Sequence, residues 1–182
     1  MEIPFLRIPQ LAMISGLKRH TLNAQAKSSL KRNLRRNPGN QILLEPPQVR
    51  TLIEDRLTNQ SGKVIYVGNL KGGVGKTTIS YLLSNTTAAL GLKTCVVDLD
   101  VQSNLTQQYI NIDTSQSVFY DVIDNKKDIS KVIIPVSNTL HIIPSSLKNS
   151  LIQKALSMQA PKHHLSWFND ICLNYLRKNY DV

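Results

Sequence analysis

The amino-acid sequence predicts an α/β fold, a parallel sheet flanked by helices, preceded by a small helical module. Three observations carry this prediction. Residues 63–67 (KVIYV) and 93–99 (KTCVVDL) have the β-branched and aromatic character of buried strands. Between them, residues 77–90 place Ile79, Leu82, Leu83, Thr86 and Leu90 on one helical face, and Gly91 follows as a cap. Strand, helix and strand in that order form a βαβ unit, whose strands run parallel and whose crossover is right-handed. Ahead of this unit lies a stretch of different character: residues 1–60 carry ten basic side chains against four acidic ones.

The remaining elements follow in order. Residues 36–48 (RNPGNQILLEPPQ) hold Pro38, Gly39, Pro46 and Pro47, which exclude a continuous helix and mark a joint. A helix is expected over residues 48–57. Residues 59–62 (NQSG) form a second break, so the chain divides into a helical region at 1–60, linker included, and an α/β domain at 61–182. Residues 139–143 (TLHII) read as a strand. Pro144, Ser145 and Ser146 then open a helix with an apolar stripe at Leu147, Leu151 and Ala155. Leu165, Phe168, Cys172 and Leu176 form a last helical stripe. Residues 111–137 give no clear pattern.

Composition narrows the function. With 41% hydrophobic and 19% charged residues in 182, the chain can bury a core and lies outside the disordered class. A net charge of +10 makes a polyanionic partner, nucleic acid first, the leading expectation. Two cysteines, Cys95 and Cys172, are too few for a disulfide framework, which fits a reducing cytoplasm. No apolar run approaches the ~20 residues of a membrane span, and the start lacks a secretory pattern.

The strongest motif is Lys71-Gly72-Gly73-Val74-Gly75-Lys76-Thr77-Thr78, between a predicted strand and a predicted helix. A triphosphate needs inward backbone N–H groups, a turn unobstructed by Cβ atoms, a helix N-terminus behind it and a fixed cation. Gly72, Gly73 and Gly75 supply the turn, Lys76 reaches the β- and γ-phosphates, and the Thr77 hydroxyl ligates Mg²⁺. The loop therefore predicts a P-loop NTPase-type sheet that takes a nucleoside triphosphate with Mg²⁺. The usual G-x-x-x-x-G-K-[ST] pattern fails at Leu70, and Lys71 instead places an extra cation at the loop's entrance, offered in trans.

The second strand runs into Asp98-Leu99-Asp100. Ligands sit at the carboxyl ends of parallel strands, and residues two apart on a strand share a face. On an extended strand both carboxylates would face Mg²⁺ and the attacking water; the alternative is that either one caps the following helix.

At these residues the sequence resembles the ParA-type partition ATPases of the deviant-Walker superfamily. Lys71–Thr78 matches that family's K-G-G-x-G-K-T-[ST] throughout, and residues 98–106 match D-x-D-P-Q-x-N-x-T with Val101 in place of proline. Residues 117–156 and the 24-residue separation of Lys76 and Asp100 also resemble it. The resemblance covers residues 63–182. It implies an ATP-sandwich dimer in which Lys71 reaches the partner's nucleotide. Lys76 and Thr77 serve their own, Asp100 positions the hydrolytic water, and Asp98 supports Mg²⁺. Tyr180-Asp181-Val182 looks like the opening of the Walker B segment, so ATP hydrolysis is expected only if that region is completed.

In the basic front, residues 8–27 read as two helices about a turn at Ser15-Gly16, with Leu11, Ala12, Leu17 and Leu22 at contact positions. As a helix-turn-helix, it would present Lys18, Arg19, His20, Thr21, Asn23 and Gln25 to a major groove. Lys27, Lys31, Arg32, Arg35 and Arg36 would meet phosphates. The alternative is a basic amphipathic arm packed on the ATPase or a partner. The resemblance favours DNA, since larger ParA-type proteins carry an N-terminal operator-binding segment.

Adjacent His163 and His164 lack a second ligand pair and predict no metal site. Cys95 reads as inert packing, and Trp167 belongs to no stacking stripe. The expected protein is thus a cytoplasmic, nucleoid-associated ATPase that binds DNA and a ParB-type centromere-binding partner, with possible operator autorepression. The rivals are a truncated, non-hydrolysing DNA-binding paralogue and a MinD-like division-site regulator.

Overall fold

The computed structural model describes residues 3–30, 34–57, 62–113, 115–124, 127–157 and 168–182. Near the N-terminus, β1 (Leu6–Arg7) leads into α1 (Ile8–Ser15). Pro9 stands in the first turn of α1, where its missing N–H costs no hydrogen bond. Gly16 ends the helix in the left-handed region (φ 71°), a conformation that glycine adopts without Cβ strain, and α2 (Arg19–Ser29) follows. Leu11, Leu22 and Ala26 are fully buried where the two helices meet.

The region expected to be a joint is instead a hairpin. β2 (Arg35–Arg36) pairs antiparallel with β3 (Ile42–Leu44), and β1 takes the other edge of β3. Pro38 and Gly39, which exclude a helix, occupy the turn, and Ile42 and Leu44 point inward at the two-residue period of a strand. α3 (Pro46–Ile53) starts on its two prolines, two residues ahead of the expected helix, and gives way to a 3₁₀ turn at Glu54–Arg56.

α4 (Lys76–Ala89) follows the glycine-rich turn as expected, one residue out at each end. β4 (Thr94–Val97) pairs in parallel with β6 (Leu140–Ile143), in register Thr94↔Leu140 to Val97↔Ile143. β5 (Ile134–Pro135) adds antiparallel to β6, making the sheet mixed rather than purely parallel. α5 (Asn104–Tyr109) and α6 (Phe119–Ile123) lie between β4 and β5. After β6 come a 3₁₀ stretch at Leu147–Leu151, α7 (Ile152–Ser157), a π-helical turn at Asn169–Leu173 and α8 (Asn174–Asn179). The stripe position Leu165, with His163, His164, Trp167, Lys31 and Arg32, lies outside the described residues.

Residues 63–67 do not form the expected strand. Lys63 N donates to the Asp181 carbonyl (2.9 Å), but residues 64–67 join no ladder among the described residues. The free edge of β4 is met instead by the chain's last residues: Asp181 N donates to the Lys93 carbonyl (2.7 Å) and Cys95 N to the Val182 carbonyl (2.9 Å). A strand-forming sequence without a neighbour cannot pair its backbone, and Val64, Ile65 and Tyr66 accordingly stay exposed.

Alternation along β6 builds the layers. Leu140 and Ile142 pack with Ala88 and Tyr109, whereas Ile143 packs with Phe119, Val122 and Cys172. Helices therefore cover both faces, as in an α/β sandwich. The front module is not closed at residue 60. Its core of Leu11, Leu22, Leu44 and Val49 takes in Ala89, with Leu90 packed against it, both from the far end of α4. Gly91 (φ 78°) sits so close to α3 that a Cβ there would stand 2.3 Å from the Pro46 carbonyl oxygen.

Candidate nucleotide site

The turn of residues 71–78 meets the requirements of an anion cradle in its backbone. Gly73 and Gly75 have φ of 70° and 83°, and a Cβ at either would meet nothing within 4 Å. Glycine is needed there for the sign of φ, and the space in front of the loop is open. The Gly75 carbonyl accepts from Ile79 N (2.8 Å) to start α4, whose N-terminus has no side-chain cap. The first N–H groups of a 14-residue helix are thus unclaimed by a cap at the point where a phosphate would lie. Lys76 Nζ arches back to the Lys71 carbonyl (3.0 Å), and Asn69 Oδ1 accepts from Lys71 N (2.9 Å), fixing the loop's entrance. Lys71, Gly72, Val74 and Thr78 are exposed, while Thr77 is half-buried.

A cavity of about 610 Å³, within the ordinary range for small-ligand sites, has Lys76, Thr77, Asp98 and Asp100 in its lining. The same cavity also runs along residues 62–69 and β4 to Tyr180, so the loop lysine and both carboxylates lie on one extended cleft. The two carboxylates are engaged differently, because β4 ends at Val97 and the chain turns. Asp98 is buried. Its Oδ1 accepts from Asp100 N (3.0 Å), and its Oδ2 accepts from Thr106 N (2.9 Å) and Thr106 Oγ1 (2.6 Å). Both oxygens are engaged within its own loop, which they anchor. Asp100 is exposed, and among the described residues its carboxylate accepts the turn bond from Gln102 N (3.1 Å). Val101 does not prevent the turn, since Ser103 N still donates to the Asp100 carbonyl (2.9 Å).

Sequence reasoning missed the second support of this loop. Ser145, at the end of β6, donates from its hydroxyl to the Asp100 carbonyl (2.5 Å) and from its N–H to Thr106 Oγ1 (3.0 Å). Asn149 Nδ2 donates to Ser145 Oγ (2.7 Å), and Asn149 Oδ1 accepts from Tyr120 N (3.2 Å). The available signal was a serine directly after a strand at the sheet's carboxyl edge, which the sequence reading used only to start a helix. Burial pushes the thiols of Cys95 and Cys172 up to about 12, which suits packing rather than reactivity.

Of the residues expected to face DNA, Lys18, Arg19, His20, Asn23 and Lys27 are exposed on or beside α2, and Thr21 is half-buried. Among the described residues there is no cluster of potential metal ligands, and no helix is long and apolar enough to cross a membrane.

Comparison with known proteins agrees with this geometry. The AAA domain family, AAA_31, matches residues 62–182. The sporulation initiation inhibitor protein Soj of Bacillus subtilis is 36% identical over 90 residues, covering 48% of this chain and 35% of Soj. A putative plasmid partition protein from Borrelia burgdorferi, solved bound to AMPPNP, superposes with a TM-score of 0.53 at 27% identity, over 67% of this chain and 52% of that one. Cobyrinic acid a,c-diamide synthase from Mycobacterium smegmatis, solved with an ATP analogue and magnesium, shares the fold with a TM-score of 0.60 at 24% identity, over 66% of this chain and 49% of that one. The chain spans about half the length of these relatives, or less. With a glycine-rich turn of this geometry in place and two thirds of its length matched, the chain belongs to the AAA_31 family of AAA domains.

Proposed function

We propose that the protein binds Mg·ATP at the 71–78 turn and DNA through α2, as a ParA-type ATPase in plasmid or chromosome partition. The observation that carries this reading is the uncapped start of α4 behind two left-handed glycines, with Lys76 held over the loop. Main-chain N–H groups from Gly72 to Thr78 would surround the phosphates, Lys76 would neutralise the β- and γ-phosphates, and the Thr77 hydroxyl would ligate the metal. Bound Mg²⁺ supplies charge neutralisation between those phosphates. Asp100, exposed and lightly engaged, is the carboxylate free to orient a water, while Asp98 holds the loop beneath it.

Exposed Lys71 would complete a second subunit's site in an ATP-dependent homodimer. In partition, that dimer would hold nucleoid DNA until a ParB-type partner triggers release, and the basic front would add operator binding and autorepression. Domain limits near residues 60 and 61 belong to the same reading, with α4 shared between the two parts.

Titration calorimetry of the full chain with ATP in magnesium buffer tests the central step. Saturable heat is expected, with affinity falling about 100-fold in Lys76→Ala through loss of a charge-assisted contact, about 2.7 kcal/mol. No heat in the parent, or equal affinity in the variant, rejects the reading.

A further inference from the structure

The 35–44 hairpin stands beside α2 and is held by its own hydrogen bonds. Asn37 N donates to the Gln41 carbonyl (3.1 Å), Asn40 N to the Asn37 carbonyl (2.9 Å) and Gln41 N to Asn37 Oδ1 (2.9 Å). Arg36 is held in the same turn: its Nη1 donates to the carbonyl (2.8 Å) and to Oδ1 (3.1 Å) of Asn40. Asn40 has φ of 59°, so the turn is fixed in a conformation that few residues other than glycine and asparagine adopt.

A cleft of about 260 Å³ separates this hairpin from α2. Arg19, Asn23 and Lys27 line it from the helix, and Arg36, Asn40 and Gln41 from the hairpin. Among the described residues that line it, three are cations and none is a carboxylate. Arg35 next door has an ion-pair partner in Glu45 (3.5 Å), but Arg36 has none among the described residues. Like charges gathered around a small opening repel one another unless an anion sits between them. The amides of Asn23, Asn40 and Gln41 add donors suited to an oxygen-rich anion.

We propose that this cleft is a DNA-backbone clamp, in which Arg36 closes from the hairpin against Arg19 and Lys27 from α2 on one phosphodiester strand of the duplex. The proposal rests on the reading that α2 enters DNA. A helix lying in a major groove puts the neighbouring backbone ridge alongside it, and the hairpin stands at that flank. An acidic peptide is the competing occupant, but a phosphodiester strand presents paired anionic oxygens at regular spacing, which suits cations set on both walls of the cleft. The hairpin contacts carry no sequence information; they fix register for α2.

Fluorescence anisotropy of the full chain with a labelled mixed-sequence duplex, titrated across a salt series, tests this. Arg36→Ala is expected to weaken binding about tenfold and to lower the slope of log affinity against log salt by about one, as the loss of one phosphate contact requires. Arg36→Lys restores the slope, and the thermal midpoint and ATP affinity of both variants stay at parent values. His20→Ala, on α2 but outside the cleft, weakens binding with the slope unchanged. If Arg36→Ala binds as the parent does while His20→Ala is impaired, the clamp is overturned and α2 remains the DNA element. If the parent binds no duplex, or binds polyglutamate in preference, both the clamp and the DNA reading fall.

Discussion

The loop of residues 71–78 and the loop of residues 98–106 border the same cavity and satisfy their polar groups in opposite ways. The first has little inside it: one lysine bond across its own backbone, an uncapped helix start and glycines that face open space. The second is filled, with Asp98, Thr106, Ser145 and Asn149 passing hydrogen bonds from β4 to the residues that follow β6. A loop that leaves donors free is organised to receive an anion, and a loop that consumes them is organised to hold its shape. Function in the first therefore depends on backbone conformation, and stability in the second on individual side chains.

The largest effect that would break this contrast is at Asp98. Asp98→Ala leaves Thr106 N, Thr106 Oγ1 and Asp100 N without their acceptor in a buried setting, at a cost of about 3–5 kcal/mol. Asp100→Ala, at an exposed side chain, should change stability by less than about 1 kcal/mol. Urea unfolding of the two variants measures the difference. Equal destabilisation would show that the two carboxylates share one role after all.

Next in size is Gly75→Ala, which forces a Cβ onto a backbone at φ 83°. The strain costs about 1–2 kcal/mol although nothing lies in the way of the added methyl. Gly72→Ala, where φ is not positive and space is open, should leave stability close to that of the parent. ATP affinity and melting temperature, measured together, separate the two cases: Gly75→Ala loses both, and Gly72→Ala alters affinity alone.

These residues also mark how far the sequence was legible. The 71–78 turn, α4, β6 and the α1–α2 pair were readable because each rests on local chemistry: glycine at a forced φ, a helical stripe, a β-branched run. The hairpin at 35–44 was not, because Pro38 and Gly39 announce a break without saying whether the chain returns on itself, and β3 depends on pairing with β1 from 36 residues earlier. Residues 63–67 show the converse: their strand-like composition needed a neighbour that the β4–β6 pairing does not supply. How Asp98 and Asp100 are engaged depends on where β4 ends and on Ser145, 45 residues beyond Asp100, which no local pattern links to them.

The smallest effect sharpens the comparison at the other end of α4, where the front module meets the sheet. Arg50 of α3 donates to Asp181 (2.6 and 3.3 Å) and to the Gly91 carbonyl (3.0 Å), and Asp181 also accepts from Lys93 N (2.7 Å). Burial alone would raise the Asp181 carboxyl, but the Arg50 guanidinium and the Lys93 N–H outweigh it and hold the group below its ordinary value of 3.8. Because the folded form binds a proton less readily than the unfolded form, the pair's contribution is complete above that value and is lost as pH falls through the lower folded one. Both side chains are partly exposed, so the contribution is only about 1 kcal/mol. Asp181→Asn should lower the urea midpoint at neutral pH by that amount and flatten its dependence on pH below about 4. An unchanged acid limb in Asp181→Asn would mean that apolar packing of Ala89 and Leu90, rather than this ion pair, joins the front module to the nucleotide domain.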